Sequence, residues 1–180
     1  MAESIFTIGH SNHPLERFVG LLCEHGVEAI ADVRRFPGSR KFPHFSRSCL
    51  AAELPRYGVQ YHWFESLGGR RGSPPGQRSP HTGLHSEGFR NFADYMLTDE
   101  FQAAILQLRD LAAQHRTAIL CAEALFWRCH RMLISDYLEV HGVVVEHILP
   151  SGKLQRHQLT EGVVVEAGKL LYRGSGGLFS

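Results

Sequence analysis

The chain has no excess of charge of either sign. Nineteen Lys and Arg stand against eighteen Asp and Glu over 180 residues, a formal net charge of +1, which excludes the global basic field that drives nonspecific nucleic-acid binding. No uninterrupted apolar run reaches the roughly 18 residues of a membrane span, so no membrane partner is expected. No apolar leader follows Met1, and four cysteines in a chain of this length do not make a disulfide scaffold. A cytoplasmic protein with reduced thiols is expected. Internal repeats and long low-complexity segments are absent as well. The strong zinc signatures are missing too: there is no Cys-x-x-Cys pair and no His-Glu-x-x-His helix. No metal site is therefore expected, although twelve histidines are present, and no cofactor is indicated.

What is present suits one domain spanning residues 1–180, with 43% apolar residues to fill its core. Basic residues cluster locally, at Arg34, Arg35, Arg40, Lys41 and Arg47 and again at Arg70, Arg71 and Arg78. These clusters are either a local anion-binding surface or solvated basic loops. The segment "GGRRGSPPGQRSPHTG" lies in a long loop expected over 68–87.

Strands and helices alternate along the rest. "SIFTIG" at 4–9 and "EAIADV" at 28–33 read as strands buried on both faces, "VQYHWF" at 59–64 as a third, "TAILCA" at 117–122 as a fourth and "VVVEHIL" at 143–149 as a fifth. A helix between the first two has Ser11 and Asn12 as cap-type residues and Leu15, Phe18, Val19, Leu22 and Cys23 at helical spacing. Further helices are expected at 48–57, shortened or kinked by Pro55, and at 88–97, 99–115 and 129–141. The stripes Phe89, Phe92, Tyr95, Met96 and Phe101, Ile105, Leu108, Leu111 read as core. The tail 151–180 is accessory, with a small hairpin turning through Ala167-Gly168.

This alternation predicts an α/β fold of three layers, α/β/α, with a mainly parallel sheet of about five strands in a Rossmann-like order 3-2-1-4-5. Strands one and four are then neighbours, and ligands of open α/β sheets bind beyond the carboxyl ends of such strands. Those ends read Gly9-His10-Ser11, Asp32-Val33-Arg34 and Cys121-Ala122-Glu123.

Six blocks in order, "TIGHSNHPLERF", "DVRRFPGSR", "LGGRR", "FADYMLTDEF", "AILCAEALFWRCHRMLISDYL" and "VVVEHIL", resemble the domain of unknown function 488 (DUF488) family. The resemblance covers most of the chain and implies a compact α/β fold with a pocket built from these blocks. Leu125 and Phe126 stand where the family pattern leads one to expect a proline.

The chemistry itself rests on residue types. Helix five opens with Cys129-His130-Arg131, and the unpaired amides of a helix N-terminus favour an anion. Arg131 there either grips a phosphate or carboxylate, or pairs internally with Glu123 or Asp136. A thiolate beside such a terminus and cationic groups is activated, which suits Cys129 better than Cys121 at the end of an apolar strand. Cys23 and Cys49 read as packing. His10, Asp32, Glu123 and His130 supply acid-base groups, and "LGGRR" is a clamp in which Arg70 and Arg71 cover an anion. Three functions follow. The first is an enzyme on a phosphate-bearing substrate, a nucleotide or nucleic-acid end, with His10, Glu123 or Cys129 catalytic and Ser11, Asp32, Arg34, Arg70, Cys121, His130 and Arg131 lining the anion site. The second is a noncatalytic nucleotide or nucleic-acid binding module. The third is thiol chemistry such as sulfur transfer.

Overall fold

A computed structural model of the protein describes residues 3–73 and 75–175. Residue 74 of the long loop and residues 176–180 of the accessory tail lie outside the described residues. The strands are β1 (Ser4–Gly9), β2 (Ala29–Asp32), β3 (Gln60–Trp63), β4 (Thr117–Cys121), β5 (Val144–Ile148), β6 (Leu154–Arg156), β7 (Val163–Glu166) and β8 (Lys169–Tyr172). The α-helices are α1 (Leu15–Glu24), α2 (Arg47–Glu53), α3 (Glu87–Met96), α4 (Asp99–Gln114) and α5 (Arg131–Val140). Among the described residues no helix is long and apolar enough to cross a membrane.

The main sheet has six strands in the order β3-β2-β4-β1-β5-β6, parallel except for β6. The α/β class and the β1–β4 contact are as expected, but the order 3-2-1-4-5 is corrected: β4 lies between β2 and β1. Each of these strands is buried on both faces, so its apolar composition does not distinguish one interior position from another. The register Gly9↔Cys121 aligns the carboxyl ends of β1 and β4. β6 has no buried residue and therefore no apolar pattern to read.

Alternate residues of the strands feed two cores. Phe6, Ile8, Ile30, Ala118 and Leu120 face α1 and α2. Ile5, Ala31, Ile119 and Cys121 face α3, α4 and α5, together with the two aromatic stripes and Leu170 and Tyr172 of the β7–β8 hairpin. That hairpin turns through Ala167 and Gly168, both at positive φ. Pro55 converts the end of α2 into a 3-10 turn, Leu54–Tyr57. Ser11 and Asn12 do not cap α1, which begins after Pro14 without a side-chain cap. Cys23, expected among the packed positions of α1, is exposed.

Candidate functional site

Beyond the carboxyl ends of β2 and β4 lies a cleft of about 920 Å³. Its walls come from the segment after β2, from the long loop and start of α3, and from the β4–α5 join. Five arginines line it (Arg34, Arg35, Arg70, Arg71 and Arg128) and one carboxylate, Glu123. Arg71 is tethered, donating to the carbonyls of Gly68 and Glu65 at 3.0 Å each and lying over the Tyr95 ring. Arg70 and Arg128 are exposed and have no ion pair among the described residues. The glycines of "LGGRR" have a packing cause: a Cβ on Gly69 would stand 2.5 Å from Nδ1 of His130. His130 in turn donates from Nε2 to the Val33 carbonyl at 2.9 Å, so one loop braces the other two.

The join itself crosses the end of β1. The Glu123 carbonyl passes so close that a Cβ on Gly9 would lie 1.7 Å from it. A 3-10 turn, Phe126–Arg128, then leads to α5, which starts at Arg131. This path brings Cys121 and Cys129 together with their sulfurs 3.0 Å apart. Arg131, only 1% exposed, donates from Nε to Cys129 Sγ at 3.2 Å and from its backbone N–H to the same sulfur at 3.3 Å. Its Nη1 donates to Thr7 Oγ1 at 3.2 Å and its Nη2 to the Glu123 carbonyl at 2.5 Å. No carboxylate forms an ion pair with Arg131 among the described residues.

A buried guanidinium without an anion costs several kcal/mol. Removing its proton at pH 7 costs more than about 7 kcal/mol from its ordinary value. Ionising a thiol at the same pH costs only about 2 kcal/mol. The cheapest counter-ion within reach is thus a cysteine thiolate. Burial opposes ionisation of Cys129, yet the hydrogen bonds from Cys121 and His130, with the positive charge of Arg131 after them, outweigh it and hold the thiol well below its ordinary value. Burial and the bond to Cys129 push Cys121 well above. One sulfur is the anion and the other its donor.

Behind Arg131 runs a buried chain that ends on a carboxylate. Since Arg131 only donates to Thr7, the Thr7 hydroxyl gives its hydrogen to His147 Nδ1 at 2.7 Å. His147 then carries its proton on Nε2 and donates to His157 Nδ1 at 2.9 Å, and His157 donates from Nε2 to Asp136 at 2.8 Å. Asp136 also accepts from Tyr172 O–H at 2.8 Å and from the Thr160 amide at 2.9 Å. Burial, His157 and Arg131 lower His147 to about 4 pH units under neutrality, at about 3, which keeps it uncharged in this direction of donation. Phe126 stacks on the His147 ring with centroids 3.5 Å apart, whereas its neighbour Trp127 is exposed.

A second buried arginine closes the other side. Arg34 donates from Nε and Nη2 to the two oxygens of Asp32 at 2.8 and 2.6 Å, and from Nη1 to the Phe45 carbonyl at 2.8 Å. Tyr61 O–H donates to Asp32 as well, at 2.5 Å, and burial together with that carboxylate raises the phenol. His10 donates from Nδ1 to the Ser11 carbonyl and accepts from Arg34 at Nε2, so both nitrogens are engaged. Burial first and Arg34 in addition lower it to about 4.

Of the residues singled out in the sequence, Arg34, Arg70, Cys121, Glu123, Cys129 and His130 reach the cleft wall. His10, Ser11, Asp32 and Arg131 lie behind it. Ser11 turns the chain at a positive φ of 49° and its amide bonds the Ala122 carbonyl. Arg131 bonds the carbonyl of Glu123 rather than its carboxylate. Sequence reasoning missed Thr7, His147, His157 and Tyr172, and it offered Asp136 as a direct partner of Arg131, whereas Asp136 bonds His157, Thr160 and Tyr172 instead. One signal was present: His147 interrupts an apolar strand and Asp136 sits among apolar residues of α5, which marks a pair of buried polar positions needing partners.

These features define an α/β protein with a buried pair of free cysteines at the carboxyl edge of its sheet, opening on an arginine-lined cleft. The profile of the family described as "Domain of unknown function DUF488" matches residues 14–138. The chain belongs to this family, and the match takes in the two cysteines and the Cys-His-Arg join. No curated protein and no solved structure matches the chain.

Proposed function

We propose that the protein is an enzyme in which the Cys129 thiolate attacks an anionic, phosphate-bearing substrate drawn into the arginine-lined cleft. The observation that carries this reading is Arg131, a buried guanidinium whose nearest anion is a cysteine sulfur. A thiolate held just ahead of a helix N-terminus, with a guanidinium donating to it, is an activated nucleophile. Arg70 and Arg128, exposed at the cleft, supply the bidentate donors that suit phosphate. Glu123, the one carboxylate of the wall, is the proton-transfer group. His10 has no proton step, because both its nitrogens are occupied; it steadies Arg34. A noncatalytic binding module would use the same arginines but leaves the buried thiolate without a purpose.

The test uses two alkylating agents of similar size, anionic iodoacetate and neutral iodoacetamide, with peptide mapping. Cys129 should prefer the anionic reagent, exposed Cys23 should not, and inorganic phosphate should slow the reaction at Cys129 alone. Arg70→Ala should erase much of that preference. Equal reagent ratios at Cys129 and Cys23, with no protection by phosphate, would contradict the reading.

A further inference from the structure

We infer that Cys121 and Cys129 are a two-electron redox pair, with Cys129 the attacking sulfur and Cys121 the resolving one, able to reduce hydroperoxides. The inference rests on the Cys129 thiolate of the proposed function and goes beyond it to a second activity.

Three observations carry it. The two sulfurs are 3.0 Å apart and neither is in a disulfide. An approach of about 1 Å brings them to covalent S–S distance. Both cysteines line the cleft, so a small oxidant meets them there while the surrounding core excludes bulk water. The roles are set by the neighbours: Cys129 Sγ receives two N–H donors from Arg131, whereas Cys121 Sγ receives none and faces the Glu123 carbonyl at 3.8 Å.

In the first step the Cys129 thiolate attacks the terminal oxygen of a hydroperoxide. An S–O bond forms, the O–O bond breaks with its electron pair going to the departing alkoxide, and the alkoxide takes a proton from solvent. Cys129 is now a sulfenic acid. In the second step the Cys121 sulfur attacks the Cys129 sulfur, an S–S bond forms, the S–O bond breaks, and the hydroxide leaves as water with the Cys121 proton. Each sulfur loses one electron and the peroxide gains two. A thiol reductant of the glutathione class returns the two electrons by exchange.

The disulfide so formed removes the anion that Arg131 faces, so the reduced state is the one that the buried guanidinium stabilises. The bond is therefore readily reduced, in the manner of oxidoreductases whose thiolate form is held by nearby positive charge. Of the chain's buried charges, Asp136 then remains as the counterpart of Arg131, reached through His157, His147 and Thr7.

The experiment exposes the full chain to one equivalent of hydrogen peroxide, then maps linked peptides by mass spectrometry with dimedone present to trap sulfenic acid. The expected result is a Cys121–Cys129 link, little dimedone adduct, and recovery of both thiols in a glutathione buffer. Cys121→Ser, or Cys121→Ala should that variant fold poorly, should instead accumulate the adduct on Cys129. A wild-type protein that gives a stable Cys129 adduct and no link overturns the inference, while the anionic-reagent preference of Cys129 would still stand. Loss of that preference along with the link would instead bring down the thiolate reading itself.

Discussion

Two buried arginines stand on either side of the β1–β4 boundary, and their counter-ions differ in kind. Arg34 closes a bidentate pair with Asp32, reinforced by Tyr61. Arg131 has no carboxylate and is met by sulfur. A carboxylate in water is already ionised at pH 7, so Arg34 and Asp32 meet as charges formed beforehand, and their pairing offsets the cost of burying both. A thiol is not, so a charge on Cys129 depends on its neighbours, Cys121 and His130 through hydrogen bonds and Arg131 through its field. In the proposed function the first pair is scaffold and the second holds the attacking group. The same contrast appears behind each arginine: His10 caps one end of Arg34 locally, while the Thr7–His147–His157–Asp136 chain links Arg131 to a carboxylate three side chains away.

The comparison can be broken from the Arg34 side first. Arg34→Ala leaves a fully buried carboxylate and should lower unfolding free energy by about 3–5 kcal/mol in a urea titration. The pH profile of Cys129 alkylation should stay where it is. Cys129→Ala should cost less, about 2–4 kcal/mol, because it strands the Arg131 cation.

That variant also tests the sign of the pH dependence. Cys129 has a lower value folded than unfolded, so between the two the unfolded chain binds the extra proton and stability rises with pH. The contribution is complete above about 8.5 and lost as pH falls through the folded value. Cys129→Ala should flatten this rise in denaturation curves measured at stepped pH. On acidification the two histidines act in the same sense. Unfolded imidazoles take protons near 6.5, while folded His10 waits until about 4 and His147 until about 3. Stability should therefore fall as pH drops below 6.5, and His147→Gln should soften the lower part of that fall.

Smaller effects sharpen the picture. Asp136→Asn removes the charge at the end of the chain and turns one of its two acceptor oxygens into a donor while keeping its shape, and should cost about 1–3 kcal/mol. Glu123→Gln should leave both stability and the Cys129 alkylation profile almost unchanged, since Arg131 uses the carbonyl of that residue. A large shift there would mean that the carboxylate, and not the sulfur, balances the charge.

Much of this was legible in the chain. Short apolar runs closed by Gly9, Asp32 and Glu123 marked strand ends, and the aromatic stripes of α3 and α4 marked the core, because period and composition report burial directly. The interchange of β1 and β4 was not legible, since strands buried on both faces carry no label for their neighbours. At the site, Cys129-His130-Arg131 was visible as a cluster, but the direction in which Arg131 points was not. It turns inward because Gly9 lets the Glu123 carbonyl come close enough to receive it. The Asp136–Tyr172 contact joins residues from α5 and the terminal hairpin, a pairing that only the folded chain creates.

The most direct measurement is the rate of Cys129 alkylation against pH in the wild type and in Arg131→Met, which keeps most of the volume and removes the charge. Exposed Cys23 in the same chain serves as the reference. If the charge of Arg131 favours the thiolate, wild-type Cys129 titrates well below the ordinary thiol range near 8.5, and in Arg131→Met it moves up towards that range. Profiles for Cys129 that coincide in the two proteins would show that the buried arginine does not set the charge of the sulfur.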